Sequence, residues 1–495
     1  MTRLIGYAYL CDALGLSAFM PGRATSVGPV RSIIHRPDGL LVPDHVSPQT
    51  DSVLDHVLFA LKHEGTNLQV LAEAVSQIAP QHLLQAIHAT PNSALVRKVC
   101  CLWEHFTGMV LEGLPTVSGP YSMLFDPDQY ITGPSARNSK WRVAFNGLGT
   151  LDYCATVERT PAIQAGVASN ILGRTADFIA QIGAQSADRT LTWAYLSETE
   201  HSFAIEQQVP SQSRAEAFVA LLHAAHEKSP LSEAYLCSLQ SGVVDSAQDR
   251  ALAYRAEQNW LRRGGLRGAS SVSYVPPAPE LLDKLMPKFT ALANALPQQI
   301  DPIIAASVLS FGFVYLHPFM DGNGRVSRFL FHQALCQSGQ LELGRLLPVS
   351  IAMKRNEDHY LATLQAFSKP ARAQWDVQWI DGDQFTFAFK GKDSIYRYWD
   401  ATACAEFGLL MAEQALEVDL RQETHYIACF DTVYSKVNAR YDIRNQTLHE
   451  LICAALDQGG VISKNKRKKY TDAVKSEAFD YIEECARQAL VNTKG

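Results

Sequence analysis

Twelve consecutive residues in the second half of the chain combine a candidate base, a candidate metal ligand and a candidate anion site. They run from His317 to Arg328 and read HPFMDGNGRVSR. His317, whose reference pKa is ~6.5, can accept a proton at neutral pH. Asp321 offers a hard oxygen ligand for Mg²⁺, which usually takes one or two carboxylates together with phosphate oxygens. These residue types indicate chemistry on a phosphate-bearing substrate.

The residues after Asp321 are expected to form a concave site for an anion. Gly322 and Gly324 permit positive φ and close approach of a ligand to the backbone. Successive N–H groups that end at a helix N-terminus favour phosphate. Arg325 and Arg328 are three residues apart, so they can project together over that anion. Each cation at a helix N-terminus opposes the dipole by ~0.3–1 kcal/mol, so two of them there make sense if a polyphosphate binds.

Two apolar segments flank this polar cluster and must position it. Residues Ile303 to Leu316 are apolar almost all round, as expected of a helix buried in the core. After the cluster, apolar residues at positions 326, 329, 330, 331 and 335 predict a second helix. The polar residues are therefore predicted in a short loop between two core helices. The chain has no GxxxxGK[ST] sequence, which excludes a P-loop NTPase as the explanation.

The stretch from His317 to Arg328 resembles the signature of the Fic family, HxFx(D/E)GNGRxxR, at every defined position. The resemblance covers roughly residues 195–370 and implies a Fic-type helical core with a β-hairpin flap. Phe319 of the motif is expected to anchor the loop in the core. Three segments are similar to the part of the family that leads to the flap, namely Tyr254-Arg255, Asn259-Trp260 and Tyr274-Val275-Pro276-Pro277. A fourth, His359-Tyr360-Leu361, resembles the region that helps to hold adenine.

Fic proteins typically transfer AMP from ATP to a hydroxyl side chain of a protein and release pyrophosphate. The resemblance implies that His317 deprotonates a Tyr, Thr or Ser hydroxyl of the target for attack on the α-phosphate. Asp321 would hold the Mg²⁺ (or Mn²⁺) that bridges the α- and β-phosphates. The other residues that the resemblance assigns to ATP are Gly322, Asn323, Gly324, Arg325, Arg328, Tyr360 and Leu361.

The resemblance also implies a docking surface for the target protein. The flap, at about Val272 to Pro277, would pair with an extended segment of the target through backbone hydrogen bonds. Such pairing would align a target hydroxyl with little sequence selectivity. The flap residues expected to dock the target are Val272, Ser273, Tyr274 and Val275.

Many Fic proteins carry an inhibitory helix with the pattern (S/T)xxxE(G/N). Ser202 to Gln207 (SFAIEQ) resembles it N-terminal to the core, with Gln207 in place of Gly or Asn. Glu206 could enter the anion site, pair with Arg328 and occupy the space of the γ-phosphate, so that ATP binds with its α-phosphate misaligned. The rival pair Glu64-Gly65 lacks the preceding Ser or Thr and lies much farther along the chain from the motif.

Length and composition bound the rest of the chain. The 495 residues suit about three domains at ~150 residues each. With 47% hydrophobic and 19% charged residues, a mostly disordered chain is excluded. A net charge of −6 argues against a surface devoted to nucleic acid, so nucleic-acid partners are not expected. No apolar run is long enough to span a membrane, and no clear cleavage site follows the apolar start. Ten cysteines without a CxxC pair favour a reducing compartment, so we expect a cytoplasmic protein.

The patterning predicts a mainly α protein in four parts. These are a helical N-terminal domain (1–111), a connecting region (112–190), the Fic core with its inhibitory helix (191–370), and a C-terminal hairpin and helical domain (371–495). The connecting region is expected to hold long connections and short strands, with helical patterning again from Asp188. The C-terminal hairpin is predicted around an Asp381-Gly382-Asp383 turn. A helical hairpin is predicted from Ser52 to Ile78, closed by Gly65 and capped again by Asn67. The basic run Lys464 to Lys469 is expected to be a solvated helix start.

Two other functions stay open. The family also transfers phosphate or other phosphate-bearing groups and removes AMP at the same site. Gly324 favours AMP transfer, because the phosphate-transferring branch has a different residue there. A non-enzyme alternative is a regulatory module that senses ATP, but binding alone needs neither His317 nor Asp321. Whether the chain forms a homo-oligomer also stays open.

Overall fold

Helices dominate the architecture. A computed structural model describes residues 3–227, 229–244 and 246–492. Helices take up 57% of the chain, which confirms the mainly α class. The helices are α1 Gly6–Ala13, α2 Val53–His63, α3 Leu68–Val75, α4 Pro80–Ala89, α5 Ala94–Thr107, α6 Pro161–Ala168, α7 Ile171–Gln181, α8 Ala184–Ile205, α9 Gln212–Ala224, α10 Glu233–Val243, α11 Pro279–Ala295, α12 Pro302–Leu316, α13 Asn323–Gln337, α14 Val349–Arg355, α15 Glu357–Ala373, α16 Ser394–Arg397, α17 Thr402–Gln414, α18 Arg421–Asn438, α19 Asn445–Asp457, α20 Lys464–Tyr470 and α21 Ser476–Asn492.

The strands are short and form five small sheets. Their order in these sheets is β1-β2-β4-β3, β5-β7-β6, β14-β9-β8, β10-β11 and β12-β13. The strands are β1 Arg3–Ile5, β2 Ala24–Val27, β3 Ile34–Arg36, β4 Gly39–Val42, β5 Ser122–Met123, β6 Ala136–Asn138, β7 Val143–Phe145, β8 Leu148–Thr150, β9 Tyr153–Thr156, β10 Leu261–Arg262, β11 Val272–Tyr274, β12 Trp375–Asp381, β13 Gln384–Phe389 and β14 Tyr398–Asp400.

The chain divides into two compact units, each built from three segments. The first unit comprises Met1–Ala168, Ala220–Gly339 and Asn356–Leu409. The second comprises Ser169–Val219, Gln340–Arg355 and Leu410–Gly495. The four-part division expected from the sequence stays a prediction. Within the described residues, no helix is both long enough and apolar enough to cross a membrane.

The N-terminal part of the first unit is only partly helical. The predicted helical hairpin is confirmed by α2 and α3. The Ser52 hydroxyl caps α2 by accepting from the Asp55 N–H at 3.1 Å, and the Asn67 side chain caps α3 by accepting from the Val70 N–H at 3.2 Å. The stretch before them is a four-stranded sheet, in which β2 runs parallel to β4 and antiparallel to β1. The helices α2 to α5 agree with a mostly helical part after a Pro- and Gly-rich opening, and the short strands lie in that opening.

The connecting region is more structured than expected. Strands β5 to β9 lie within it, in agreement with the predicted short strands. Helical structure resumes at Pro161, well before the predicted restart at Asp188. Strand β9 also pairs in parallel with β14, more than two hundred residues later in the chain. Residues 112–168 of this region therefore belong to the body of the first unit and are not a simple linker.

Helices α12 and α13 form the centre of the first unit. Asp301 caps α12 by accepting from the N–H groups of Ile303 (2.9 Å) and Ile304 (3.2 Å), and Pro302 occupies the first turn. Every residue of α12 is buried, as its all-round apolar sequence predicts. The chain then leaves α12 at His317 and starts α13 at Asn323. The motif is therefore a six-residue connection followed by the first turns of a helix.

Two β-hairpins pack together beside this core. In the first, β10 pairs antiparallel with β11 and a bulge interrupts the register. The second, formed by β12 and β13, confirms the hairpin predicted around Asp381-Gly382-Asp383. Buried residues of both hairpins form one apolar cluster. Trp260, just before β10, packs its ring on those of Phe385 and Phe387, with centroids 5.5 and 5.4 Å apart.

The second unit holds α8 and the C-terminal helices. The fully buried carboxylate of Glu198 on α8 accepts hydrogen bonds from the N–H and the hydroxyl of Ser350, at the start of α14. A carboxylate at a helix N-terminus satisfies N–H groups that have no partner within the helix. Helices α18, α19 and α21 share a separate apolar core. The basic run forms the short helix α20, which has no buried residue, as expected of a solvated segment.

Candidate active site

His317 ends α12 in an unusual backbone conformation. Its φ of 51° and ψ of 59° lie in the left-handed region, which costs a non-glycine residue roughly 1–2 kcal/mol. Its N–H still donates to the Phe313 carbonyl at 2.8 Å. The turn directs the ring back along the helix, so that Nδ1 lies 3.1 Å from the Val314 carbonyl oxygen. The sequence offered no signal for this turn, because left-handed conformations usually fall on Gly or Asn.

The surroundings of His317 set its protonation state and its tautomer. The residue is 7% exposed, and burial lowers its pKa from 6.5 to about 4, with a smaller lowering from the Arg255 charge. The ring is therefore neutral at pH 7. Because a carbonyl can only accept, Nδ1 must carry the proton that it shares with Val314. The lone pair is then on Nε2, which leaves that atom as the candidate base.

Asn323 closes the motif loop on itself. Its side-chain oxygen accepts from the Phe319 N–H at 3.0 Å, and its amide donates to the Phe319 carbonyl at 2.7 Å. This side chain acts as an internal clamp, in addition to the backbone role assigned to it from the sequence. The ring of Phe319 is 1% exposed and packs against Phe313 and Tyr254. The expectation that Phe319 anchors the loop in the core is confirmed.

Arg255 holds the motif loop from outside. Its backbone N–H donates to the Pro318 carbonyl and its Nε donates to the His317 carbonyl, both at 2.9 Å. The other guanidinium nitrogens donate to the carbonyls of Glu257 and Pro277. Burial lowers the pKa of Arg255 to about 10, so the group stays charged at neutral pH. The Arg255 side chain thus joins the motif loop to Pro277, at the end of the flap.

Asn259 is a second external anchor of the loop. Its amide donates to the carbonyls of Phe319 at 3.0 Å and Met320 at 3.2 Å. Arg255 and Asn259 stood out in the sequence only as part of a similar segment, with no role attached to either. Their hydrogen-bonding partners lie about sixty residues away in the chain, so no local pattern could reveal them.

Helix α10 supports the other side of the loop. Gln240 is fully buried and donates to the Asp321 carbonyl at 3.2 Å. Arg325 donates to the Val243 carbonyl at the end of α10 at 2.6 Å, and its Nη2 lies 3.4 Å from the Asp321 carboxylate. The Arg325 side chain is only 1% exposed. Arg325 thus connects the motif loop to the end of α10, a role that its spacing from Arg328 did not suggest.

The start of α13 fits an anion. Gly322 caps the helix with φ of 83°, and a Cβ there would lie 3.1 and 3.2 Å from the side chains of Val244 and Val243. This position therefore requires glycine. Gly324 lies inside the first turn of α13, so the expectation of a positive φ is wrong for this glycine. The N–H groups that begin a helix have no carbonyl partner within it and favour phosphate. Arg328, 2% exposed, lies one turn further along the same helix.

Asp321 suits a single-carboxylate magnesium site. Its side chain is 52% exposed, and only one of its oxygens, Oδ1, accepts from the Gly322 N–H, at 2.7 Å. The other oxygen, Oδ2, lies 3.4 Å from Nη2 of Arg325. Across the described ranges, no group of three or more His, Cys, Asp or Glu residues could hold a metal by itself. This single carboxylate fits Mg²⁺, which binds to one or two protein carboxylates when phosphates and water complete its coordination shell.

The adenine residues expected from the resemblance lie at the start of α15. Tyr360 is 8% exposed, and its ring packs against Phe311 (centroids 5.8 Å apart) and Phe407 (5.7 Å). Leu361, its neighbour, is 44% exposed. Of this pair, Leu361 offers more surface to a ligand, and Tyr360 helps to fix α15 on α12. Their contact with a nucleotide stays a prediction.

The expected flap residues lie on and just after β11. Val272, Tyr274 and Val275 are buried, and Ser273 is half-buried with its hydroxyl on the Leu261 carbonyl at 3.1 Å. The Tyr274 hydroxyl donates to the Tyr315 carbonyl in α12. The Val272 carbonyl accepts from Arg372 Nε at 3.0 Å. Part of the backbone expected to pair with a target is therefore occupied within the chain.

Ser202 and Glu206 lie in the second unit, at the C-terminal end of α8. Ser202 is fully buried and Glu206 is the C-terminal cap residue. Gln207 follows with φ of 58°, and the N–H groups of Gln207 and Gln208 donate to carbonyls of the last helical turn. Gly and Asn are the residues that tolerate this left-handed position. Gln207 adopts this conformation at a cost that Gly or Asn would not have.

The rival Glu64 already has a local role. Its carboxylate accepts from the Tyr7 N–H at 2.8 Å, at the start of α1. Burial raises its pKa to about 6. The left-handed φ of Gly65 would not suit another residue, because a Cβ there would lie 2.3 Å from the Tyr130 hydroxyl. The Glu64-Gly65 pair therefore serves the packing of the N-terminal part.

Comparison with known proteins agrees with this site. The Fic/DOC family matches residues 230–335, which include α10, the flap, α12 and most of α13. A "Protein adenylyltransferase Fic" of Nematostella vectensis is 29% identical over 196 residues, which is 36% of this chain and 44% of that protein. A protein of the same name from Culex quinquefasciatus is 33% identical over 93 residues, 19% of this chain and 17% of that protein. The matches therefore span less than half of the length of these relatives.

Solved structures of Fic proteins are also similar in part. A Fic family protein from Desulfovibrio desulfuricans aligns with a TM-score of 0.38 and 19% identity, over 65% of this chain and 87% of that one. Fic-1 from C. elegans aligns with a TM-score of 0.30 and 16% identity, over 64% of this chain and 92% of that one. The part of the chain that matches the Fic/DOC family, residues 230–335, carries the complete HPFMDGNGRVSR motif between two core helices.

Proposed function

We propose that the protein is an adenylyltransferase that moves AMP from ATP to a Tyr, Thr or Ser hydroxyl of a target protein. The observation that carries the proposal is the pairing of a neutral imidazole with an anion site in one loop. His317 presents Nε2 as an acceptor, and the N-terminus of α13 begins six residues later. Binding of ATP alone would need the anion site and not the oriented base.

In this reaction the target hydroxyl oxygen attacks the α-phosphorus while the bond to the β-phosphate oxygen breaks. Nε2 of His317 takes the hydroxyl proton, and pyrophosphate leaves. Asp321 would hold the Mg²⁺ or Mn²⁺ ion, which supplies positive charge to the phosphates when bound. The N–H groups at the start of α13 and the Arg328 guanidinium would stabilise negative charge on the phosphates. Leu361 and Tyr360 would lie toward the adenine.

The clamps around the loop explain how the base keeps its position. Transfer of this type depends mostly on alignment, so a displacement of about 1 Å can cost ~10²-fold in rate. Arg255, Asn259 and Asn323 fix the loop through its own carbonyls and N–H groups. They are positioning residues, since each contacts the loop and none is placed on the reacting atoms.

We further propose that Glu206 restrains the activity. The carboxylate would pair with Arg328 and take the place of the γ-phosphate, so that ATP binds in an unproductive alignment. Support comes from the SxxxE pattern and from the left-handed residue that follows Glu206, which fits the Gly or Asn of the family pattern. The flap residues Val272 to Val275 would align the target segment. The cytoplasm is the proposed compartment, in keeping with ten cysteines that form no disulfide within the described residues.

The test is incubation with α-labelled ATP and Mg²⁺, with label on protein followed for wild type, Glu206→Gly and His317→Ala. We expect more label with the Glu206 variant than with wild type, and none with the His317 variant. Glu200→Gly is the matched control, because Glu200 is an exposed residue of the same helix. Because Glu200 lies inside α8 and Glu206 is its cap residue, this control weakens the helix at least as much without touching the proposed brake.

Two results would overturn parts of this proposal. Equal gains for Glu200→Gly and Glu206→Gly would assign the effect to the weakening of α8 and sink the brake. Absence of α-label on any form, even with cell lysate, would favour another transferred group or an ATP-sensing module. The same incubations with γ-labelled ATP separate these two, since only phosphate transfer leaves that label on protein. Removal of AMP would appear as loss of α-label from a modified protein in a chase.

A further inference from the structure

The tip of the flap is an unusual basic loop whose role is unassigned. Residues 262–268 read Arg-Arg-Gly-Gly-Leu-Arg-Gly, and we call them the flap tip. All residues from 262 to 267 are exposed. A Cβ built on Gly264 or Gly265 would meet no other atom within 4 Å, so the flap tip projects freely from the body of the first unit.

The base of the flap tip is held firmly, which gives its side chains a defined place. The Arg263 N–H donates to the Ser271 carbonyl at 2.7 Å, and the Ser270 hydroxyl donates to the Arg267 carbonyl at 2.8 Å. Arg372 donates to the carbonyls of Ala269 at 3.2 Å and Val272 at 3.0 Å. These bonds enclose the loop from both ends, so its arginines are presented on an anchored turn.

The charge of the flap tip is only partly neutralised. Arg262 pairs with Asp383 of the neighbouring hairpin at 2.5 Å. Arg263 and Arg267 form no ion pair within the part of the chain that the structure describes. The other acid at that hairpin turn is Asp381. Two exposed guanidinium groups, four residues apart on one loop, are thus available to a negatively charged partner.

Apolar side chains border the same loop. Leu266 of the flap tip is 47% exposed, and Trp379 and Ile380 of the β12–β13 hairpin are 52% and 57% exposed. A Cβ on Gly268 would lie 3.9 Å from the Cβ of Trp379, so the two hairpins adjoin at this point. Exposed aromatic and arginine side chains together are typical of protein-binding surfaces.

Only a few residues separate the flap tip from Asn259, which contacts the motif loop. Asn259 contacts the Phe319 and Met320 carbonyls, and Arg263 is four residues further. An extended chain spans ~3.5 Å per residue, so Arg263 lies within about 14 Å of a residue that touches the loop. A target segment in extended conformation covers that distance with about four residues.

Building on the proposed transfer reaction, we propose that the flap tip selects target proteins with acidic residues about three to six positions from the modified hydroxyl. Arg263 and Arg267 bind the acidic side chains, while Leu266 and Trp379 cover apolar residues between them. The small number of available arginines favours an acidic protein segment over nucleic acid. Two free arginines are few beside the 6–10 phosphate contacts of a typical DNA-binding protein.

The test measures binding and transfer separately on one pair of peptides. Each fluorescent peptide carries one Ser, one Thr and one Tyr in its centre, with either four Glu or four Gln at positions three to six beyond them. Binding to the full chain is followed by anisotropy at low salt, and AMP transfer by α-label. Each exposed ion pair is worth roughly two- to fivefold in affinity, so two predict about four- to twenty-fivefold preference for the Glu peptide.

Charge reversal provides the decisive comparison. In Arg263→Glu/Arg267→Glu the preference for the Glu peptide should disappear, and a third peptide with four Lys should now bind better. The control Arg31→Glu/Lys62→Glu changes the net charge equally at exposed residues of the N-terminal part and should keep the preference. Equal binding of Glu and Gln peptides to wild type, or the same loss in both double variants, would overturn the proposal. Tighter binding of a duplex DNA of the same charge than of the Glu peptide would also overturn it.

The two proposals fail in different ways. If the Glu peptide binds selectively but no peptide or protein is labelled, the docking surface stands and AMP transfer is refuted. If the Glu and Gln peptides are labelled equally and bound equally, transfer stands and selection by the flap tip is refuted.

Discussion

Replacing Arg255 by alanine removes three side-chain hydrogen bonds, one to the motif loop itself and two that hold the guanidinium in place beside it. The lost bonds reach the carbonyls of His317, Glu257 and Pro277. Hydrogen bonds from a charged donor contribute roughly 1.5–3 kcal/mol each, which gives an upper bound of about 5–9 kcal/mol. The cost of burying the guanidinium offsets part of this, so we expect a loss of about 3–5 kcal/mol in local stability.

Hydrogen exchange measures this loss directly in the loop. The N–H of His317 is bonded to the Phe313 carbonyl and that of Phe319 to the Asn323 side chain, so both should exchange slowly in wild type. A drop of about 3–5 kcal/mol in the opening free energy predicts roughly 10²–10⁴-fold faster exchange of these groups. Helix α2 serves as an internal reference that should not change. AMP transfer should fall by about 10²-fold or more, because the base loses its alignment.

Two further variants separate position from charge. Arg255→Lys keeps a cation, but a single ammonium cannot reach three carbonyls that separate guanidinium nitrogens bind, so an intermediate effect is expected. Arg250→Ala removes an exposed arginine five residues earlier and should behave as wild type. Unchanged exchange at His317 and Phe319 in Arg255→Ala would refute the reasoning, whatever happened to activity.

Three other predictions concern single positions. Gly322→Ala should lower the thermal midpoint more than Gly339→Ala, because both have positive φ but only Gly322 has side chains at 3.1 and 3.2 Å from the new Cβ; equal losses would leave backbone strain as the only cause. Gln207→Gly should stabilise the end of α8 by about 1 kcal/mol, because glycine suits its φ of 58°. Slower hydrogen exchange of the backbone N–H groups in α8 would show this gain. Glu200→Gly should instead destabilise α8 by a similar amount. The His317 ring should give no NMR titration between pH 8 and 5, because its folded pKa is about 4. Since that pKa is depressed, protonation opposes folding, and stability falls as the pH drops from about 6.5 toward 4; a transition near pH 6.5 would contradict the burial argument.

The type of most elements near the site could be predicted from the sequence. The side chains of His317, Asp321 and Arg328 predict a base, a metal ligand and an anion site, and Gly322 permits the positive φ that the structure shows. The continuous apolar run of α12 predicts that the helix is buried on every side. Ser52 and Asn67 predict helix starts, because a cap acts on N–H groups two or three residues away. Each of these signals lies within a few residues of the element that it predicts, so it can be read from the sequence.

The contacts that fix the motif loop in place could not be predicted from the sequence. The left-handed turn at His317, the bonds from Arg255 and Asn259, and the engagement of Arg325 by the end of α10 have no signature in the sequence. Short strands in the first forty residues were likewise hidden, since three or four residues carry too little periodicity. For the bonds made by Arg255, Asn259 and Arg325, the partner is 60 to 82 residues away in the chain, and a backbone carbonyl accepts a hydrogen bond whatever its side chain is. Which carbonyl meets which donor is therefore set by the path of the folded chain.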